Sequence, residues 1–226
     1  MTADGTPDLL VTGTDTGVGK TVIAAAIALD RRGRGMHVVA YKPVESGVAD
    51  GAPTDSAVLA AACGSSALLS EPVLQLGEGL APAVAAERAG VAVVPQAIEE
   101  RIVAMREREW SIIVEGAGGL LVPLAWDYTA LDLAEKLGLE AVVVARTGLG
   151  TLNHTRLTVE ALRQRNVLVR AIVLNCLSAA PDLAEQTNPD ALRRLIPGVR
   201  LIVVPRHDSR DPLAAARRSV PLVAGL

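Results

Sequence analysis

The stretch Leu9-Leu10-Val11-Thr12-Gly13-Thr14-Asp15-Thr16-Gly17-Val18-Gly19-Lys20-Thr21-Val22 decides the fold. It opens on an apolar run, breaks into glycines and closes on Gly-Lys-Thr ahead of an alanine-rich helical pattern. A strand, a glycine-rich turn and a helix that starts on Lys and a hydroxyl make the phosphate-loop pattern. Glycines let the backbone amides point inward, where they and the helix N-terminus hold phosphate oxygens. Lys20 is placed to span the β- and γ-phosphates, and the Thr21 hydroxyl to ligate Mg²⁺. The strict spacing asks for Gly at position 14. Thr14 stands there, and Gly13 lies one residue early.

Outward from this loop, short apolar runs alternate with helical patterns. Strands are expected at 8–12, 37–42, 111–115, 140–145, 169–175 and 200–204, each continuous rather than alternating, as in strands buried on both faces. Helices are expected at 20–32, 55–62, 95–108, 129–137, 153–164 and 189–195. This rhythm implies an α/β fold: one domain over 1–226, with a mostly parallel central sheet and helices on both faces, of the phosphate-loop NTPase type. Residues 65–94, with Pro72, Gly77, Gly79, Pro82 and Gly90, read as a long excursion holding short helical pieces. Ligands of such sheets bind beyond the carboxyl ends of the strands, so the chemistry belongs there.

Composition agrees. The 226 residues are 50% apolar and 21% charged, with 2% aromatics and no Phe, so the core must be Val, Leu, Ile and Ala. A net charge of −3 offers no electrostatic footprint for nucleic acid or an anionic membrane. Cys63 and Cys176 make no disulfide framework and suit a reducing compartment. The polar start and the lack of any spanning apolar run give the expectation of a cytoplasmic protein. All but three of the 22 basic residues are Arg; the lysines are Lys20, Lys42 and Lys136. A chain that so prefers Arg invites the question of what its lysines do.

Two further strand ends carry candidates. The second is Tyr41-Lys42-Pro43-Val44-Glu45-Ser46-Gly47, where Lys42, fixed by the following Pro, can aim its ammonium into the nucleotide crevice. The third is Ile112-Ile113-Val114-Glu115-Gly116-Ala117-Gly118-Gly119. Glu115 takes the place where phosphate-loop enzymes keep a metal-side acid, and the small residues after it let backbone approach a ligand. Asp55, opening a helix after Pro53-Thr54, reads in isolation as an N-cap or first-turn residue. Asn153 reads locally as the N-cap of the helix after Gly148-Leu149-Gly150-Thr151-Leu152. His37, His154 and His207 lack metal-ligand spacing.

Taken together, Gly-Thr-Asp-Thr-Gly-Val-Gly-Lys-Thr, Tyr-Lys-Pro-Val-Glu-Ser-Gly, Val-Glu-Gly-Ala-Gly-Gly and Gly150-Thr-Leu-Asn-His154 resemble the dethiobiotin synthetase family. Leu174-Asn175 and Val204-Pro205 fit as well, and order and spacing hold from about Leu9 to Pro212. The resemblance implies ring closure of 7,8-diaminononanoate with CO₂ and ATP to dethiobiotin, ADP and phosphate, with Mg²⁺. It implies Lys20, Lys42 and Thr16 as catalytic residues. Nucleotide binding falls to Gly17, Val18, Gly19, Lys20, Thr21, Val22, Glu115, Gly116, Ala117 and Gly118. Asn175 would read the adenine edge, aided by Pro205, Arg206 and His207. Thr21, Asp55 and Glu115 would surround the metal, while Thr16, Lys42 and Ser46 would bind the substrate or its carbamate. Gly150, Thr151, Leu152 and Asn153 would receive the substrate's carboxylate tail from the partner subunit, which implies a homodimer.

Three features depart from the family's pattern or lack a role in it. Gly17 stands where some members carry an acid, and Ala83, in Leu80-Ala81-Pro82-Ala83, replaces a His. Trp126 and Tyr128 read as packing or lid residues. Two other classes of protein share this fold. Nucleotide-switch ATPases of the partition type need a second Lys five residues before Lys20, where Asp15 stands. Glutamine-dependent corrinoid amidases need an amidotransferase domain, for which this length leaves no room.

Overall fold

The computed structural model describes residues 5–48, 53–64 and 70–226. The reading of 65–69 as part of the excursion, and of 1–4 as a polar start, lies outside those residues.

Strand β1 (Leu9–Gly13) is followed by helix α1 (Lys20–Gly33), then β2 (Val38–Tyr41). The second expected strand stops at Tyr41; past Lys42 and Pro43 the chain re-forms as β3 (Val44–Ser46). Pro43 offers no N–H to a ladder, so the main sheet ends there. β3 pairs in parallel with β4 (Leu74–Leu76), while α2 (Asp55–Cys63) lies between them in sequence. Next come α3 (Pro82–Arg88), α4 (Pro95–Arg106) and β5 (Ser111–Gly119). A hairpin of β6 (Pro123–Ala125) and β7 (Tyr128–Thr129) leads into α5 (Ala130–Leu137). The remainder alternates as β8 (Glu140–Arg146), α6 (Thr151–Gln164), β9 (Val169–Asn175), α7 (Leu183–Leu195), β10 (Arg200–Val204) and α8 (Pro212–Val223).

Six strands form one parallel sheet in the order β10-β9-β8-β1-β5-β2. Leu9 and Val11 face a core with α1, α2 and α8, whereas Leu10 faces a core with α3 to α7. Both faces are therefore covered, which is why the strand sequences are apolar throughout. α1 is alanine-rich where it meets that core, with Ala24, Ala25, Ala26 and Ala28 all buried, so α8 packs closely against it. Arg31 is buried at the same seam, donating to Ser111 Oγ at 2.7 Å and to the Leu226 carbonyl at 3.0 Å. Burial pulls its guanidinium down to about 10, against the opposing charge of Asp8.

Several local expectations need correction. The helix expected from Pro189 begins at Leu183, because Asp182 and Glu185 form a reciprocal capping box that nucleates it upstream. Pro189 is carried inside it. α8 was not expected, although Asp211 caps it and Pro212 occupies its first turn. Ala215, Ser219 and Val223 repeat at helical spacing on its buried side. β5 continues through Gly116–Gly119, whereas the sequence reading ends it at Glu115. Asn153 is not an N-cap: Gly150, with φ 93°, holds that place, and Thr151 is the first helical residue. A left-handed residue there suits Gly alone, which moves the helix start upstream. Thr54, not Asp55, caps α2, so Asp55 is a first-turn residue.

Candidate active site

β1 is the switch point of the sheet, since the chain leaves it toward β2 on one side and returns through β8 on the other. The phosphate loop occupies the crevice beyond it. Gly19 has φ 96° as N-cap of α1, and a Cβ there would lie 2.1 Å from Asn175 Nδ2. Lys20 folds back over the loop and donates to the Asp15 carbonyl at 3.1 Å.

Strand register then assembles the charged cluster. Tyr41 pairs with Val114, so Lys42 leaves β2 beside Glu115 of β5. Lys42 Nζ donates to Glu115 Oε1 at 2.9 Å and to Asp55 Oδ2. Thr21 donates its hydroxyl to the same Glu115 oxygen at 3.0 Å. Burial opposes the charge on Lys42, but Glu115 and Asp55 reverse that and raise it above the usual ammonium range. Burial lowers Lys20, with Lys42 adding to the effect and Glu115 opposing it. Burial pushes Glu115 up, restrained by Lys42. Asp55 is held down despite burial, chiefly by Lys42.

These side chains open onto a cavity of about 750 Å³. It brings together twelve of the candidate residues: Thr16, Gly17, Gly19, Lys20, Thr21, Val22, Lys42, Ser46, Asp55, Glu115, Ala117 and Gly118. Val122, Pro212 and the segment Gly79–Pro82 complete the wall, none of them a candidate from sequence. Leu80 to Pro82 belong to the stretch where Ala83 replaces the family's His; Ala83 itself is buried.

Other candidates lie outside this cavity. Val18 is buried and its carbonyl accepts Asn175 Nδ2 at 3.0 Å, so Asn175 supports the loop from behind. His207 Nε2 meets Ser219 Oγ at 3.0 Å, and Arg206 donates to the Leu177 carbonyl at 3.2 Å. Gly116 lies buried within β5. At the end of β8 and the start of α6, Leu149, Gly150 and Asn153 are exposed, Gly148 and Leu152 half-buried, and Thr151 buried against Thr155. Asn188 of α7 anchors this turn, donating to the Thr147 carbonyl at 2.7 Å and to Gly148 at 3.2 Å. Sequence reasoning missed Asn188, and also Arg146, which pairs with Asp15. The position of the absent switch lysine is thus an acid neutralised from β8. Tyr128 packs and donates to Glu99 at 2.7 Å; Trp126 is exposed and donates to Glu87 at 2.9 Å.

A hard divalent cation fits the donor set. Glu115 Oε2 is buried with no hydrogen-bond partner, and Glu115, Asp55 and Thr21 offer only oxygens. Mg²⁺ takes one or two carboxylates and fills its remaining positions with phosphate and water.

A family model described as an AAA domain matches residues 8–213. The ATP-dependent dethiobiotin synthetase of Anaeromyxobacter sp. (strain Fw109-5) is 48% identical over 188 residues, 83% of this chain and 84% of its own. That of Bacillus licheniformis is 40% identical over 205 residues, 89% and 87% of the two chains. That of Mycolicibacterium gilvum is 44% identical, covering 84% and 83%. A solved nucleotide-binding protein from Archaeoglobus fulgidus, in complex with ADP, covers 95% of this chain and 87% of its own. Its TM-score of 0.50 at 13% identity is a likeness of fold. With this identity sustained over more than four-fifths of both chains, the chain belongs to the ATP-dependent dethiobiotin synthetase family.

Proposed function

We propose that this protein closes the cyclic urea of dethiobiotin from 7,8-diaminononanoate, CO₂ and ATP. The observation that carries the reading is Lys42, a buried second cation beside Lys20 in the phosphate-loop cavity, which ATP hydrolysis alone does not require. In this reading one substrate amine adds to CO₂, releasing a proton and leaving a carbamate. A carbamate oxygen attacks the γ-phosphorus and ADP departs. The neighbouring amine then attacks the carbamoyl carbon and phosphate leaves. Two anions must meet for the middle step, so clustered cations in a site shielded from water are its main requirement. Lys20 would hold the β- and γ-phosphates. Lys42, released from Asp55 and Glu115, would bridge carbamate and γ-phosphate. Thr16 and Ser46 line the same cavity and would orient the substrate.

Thr21, Asp55 and Glu115 would hold Mg²⁺. When bound, the ion neutralises charge on the phosphates and orients them. Asn175 with the Pro205–His207 turn would border the base. The N-terminus of α6, from Gly150 to Asn153, would offer its amides to the carboxylate tail of a substrate in the partner's site of a homodimer. Among the described residues no helix is long and apolar enough to cross a membrane.

The direct test is phosphate release from ATP with diaminononanoate and bicarbonate present, each then omitted. Release is expected to need both. Vigorous hydrolysis that ignores the diamine would overturn the reading and favour a nucleotide switch. For the metal, Glu115→Gln is expected to raise the Mg²⁺ needed for half-maximal rate on the order of tenfold or more. Its thermal melt in Mg²⁺ and ATP should stay close to that of the parent. An unchanged Mg²⁺ requirement would remove Glu115 from the metal site.

A further inference from the structure

Glu45 is a buried charge that the proposed chemistry does not use, with only 4% of its surface exposed. It lies on β3, three residues after Lys42 and one before Ser46. Its Oε1 accepts the backbone N–H of Asp55. Its Oε2 accepts the Ser56 hydroxyl at 2.6 Å and the Ser56 N–H at 3.4 Å. These are the first amides of α2, so the carboxylate fills the positive end of that helix.

Thr54 caps α2 only at the Ala57 N–H, accepting it at 3.1 Å, so Glu45 completes the cap at the two amides before it. What Glu45 adds is a grip on Asp55 itself, at the backbone N–H and at the residue after it. Backbone dihedrals limit which rotamers a side chain can take. With the backbone held on both sides, the Asp55 carboxylate pairs directly with Lys42, which also holds Glu115.

We infer that Glu45 is a positioning residue that aims Asp55 at the metal. It rests on the reading that Thr21, Asp55 and Glu115 hold Mg²⁺. One five-residue segment then supplies the cation Lys42, the strut Glu45 and the substrate-facing Ser46. Outer partners of metal ligands set affinity by orienting those ligands, and their loss costs about 10–100-fold.

The test titrates Mn²⁺, as a paramagnetic stand-in, into the full chain with saturating ATP, following free Mn²⁺ by electron paramagnetic resonance. The parent is compared with Glu45→Ala, Glu45→Gln and Asp55→Asn. Glu45→Ala is expected to weaken Mn²⁺ binding about 10–100-fold. Glu45→Gln keeps one oxygen for the Asp55 N–H but loses the charge and the oxygen that accepts from Ser56, so a loss smaller than that of Glu45→Ala is expected. Parent-like affinity in Glu45→Ala, with Asp55→Asn weakened, overturns the positioning role and leaves the metal reading standing. Parent-like affinity in Asp55→Asn overturns the metal reading together with the role built on it. Should Glu45→Ala fail to fold, Glu45→Gln decides: weakened affinity with an unaltered melt supports the role, and unaltered affinity overturns it.

Discussion

Lys42→Gln is expected to form dethiobiotin about 10²–10³ times more slowly while binding ATP within a few-fold of the parent. Lys20 contacts the nucleotide in any phosphate-loop protein, but Lys42 comes from the end of β2 and is held by Asp55 and Glu115. If it bridges carbamate and γ-phosphate, its interaction is strongest when charge moves between them, so its loss falls on turnover. Removal also leaves two carboxylates without their ammonium. Breaking one partner of a buried pair costs about 3–5 kcal/mol. The ligand-free variant should therefore melt earlier, with stability returning in Mg²⁺ and ATP. Lys42→Arg should recover only part of the rate, since a planar fork does not reproduce a compact ammonium. Calorimetry for ATP and a single-turnover assay for product decide it. Sustained turnover, or ATP binding that falls in step with the rate, removes Lys42 from the transition state.

Gly19→Ala should weaken ATP binding about 10²-fold or more. Gly19 sits at φ 96°, where an L side chain is strained by about 1–2 kcal/mol. The added Cβ would also fall 2.1 Å from Asn175 Nδ2, an overlap that something must relieve. Forced repacking adds about 1–3 kcal/mol. Together these make about 3 kcal/mol, and 1.4 kcal/mol is tenfold in affinity. Relief comes either from Asn175 swinging off the Val18 carbonyl, which leaves the loop unsupported, or from the loop turning its amides away from the phosphates. Asn175→Ala opens the space behind Gly19. In that background Gly19→Ala should cost only the backbone share, a non-additivity that a double-mutant cycle reads directly. Additive losses would show that Asn175 does not back the loop.

Much of this protein is legible in the order of its residues. The strand–glycine–helix stretch from Leu9, the unbroken apolar runs and the intervening helical spacings reflect local sterics and burial. They place six parallel strands to within a few residues. Lys20, Thr21 and Glu115 are readable because the chemistry of such sheets lies just past their strands. The helix at Pro212–Val223 is equally local, signalled by Asp211 and Pro212.

Strand order is different. Nothing near Lys42 announces that β2 will lie against β5, yet that pairing sets its ammonium 2.9 Å from a carboxylate 73 residues away. Asp55 alone reads as a first-turn residue, and becomes part of a site only where α2 meets the strand ends. Glu45 and Asn188 look like ordinary surface polar residues until packing buries them against backbone amides and carbonyls. Local pattern determined the elements and the phosphate loop, since period, turn chemistry and the freedom of glycine act over a few residues. Which charges meet, and which buried carboxylate aims another, was decided by sheet register and helix docking, where groups far apart in sequence replace water for one another.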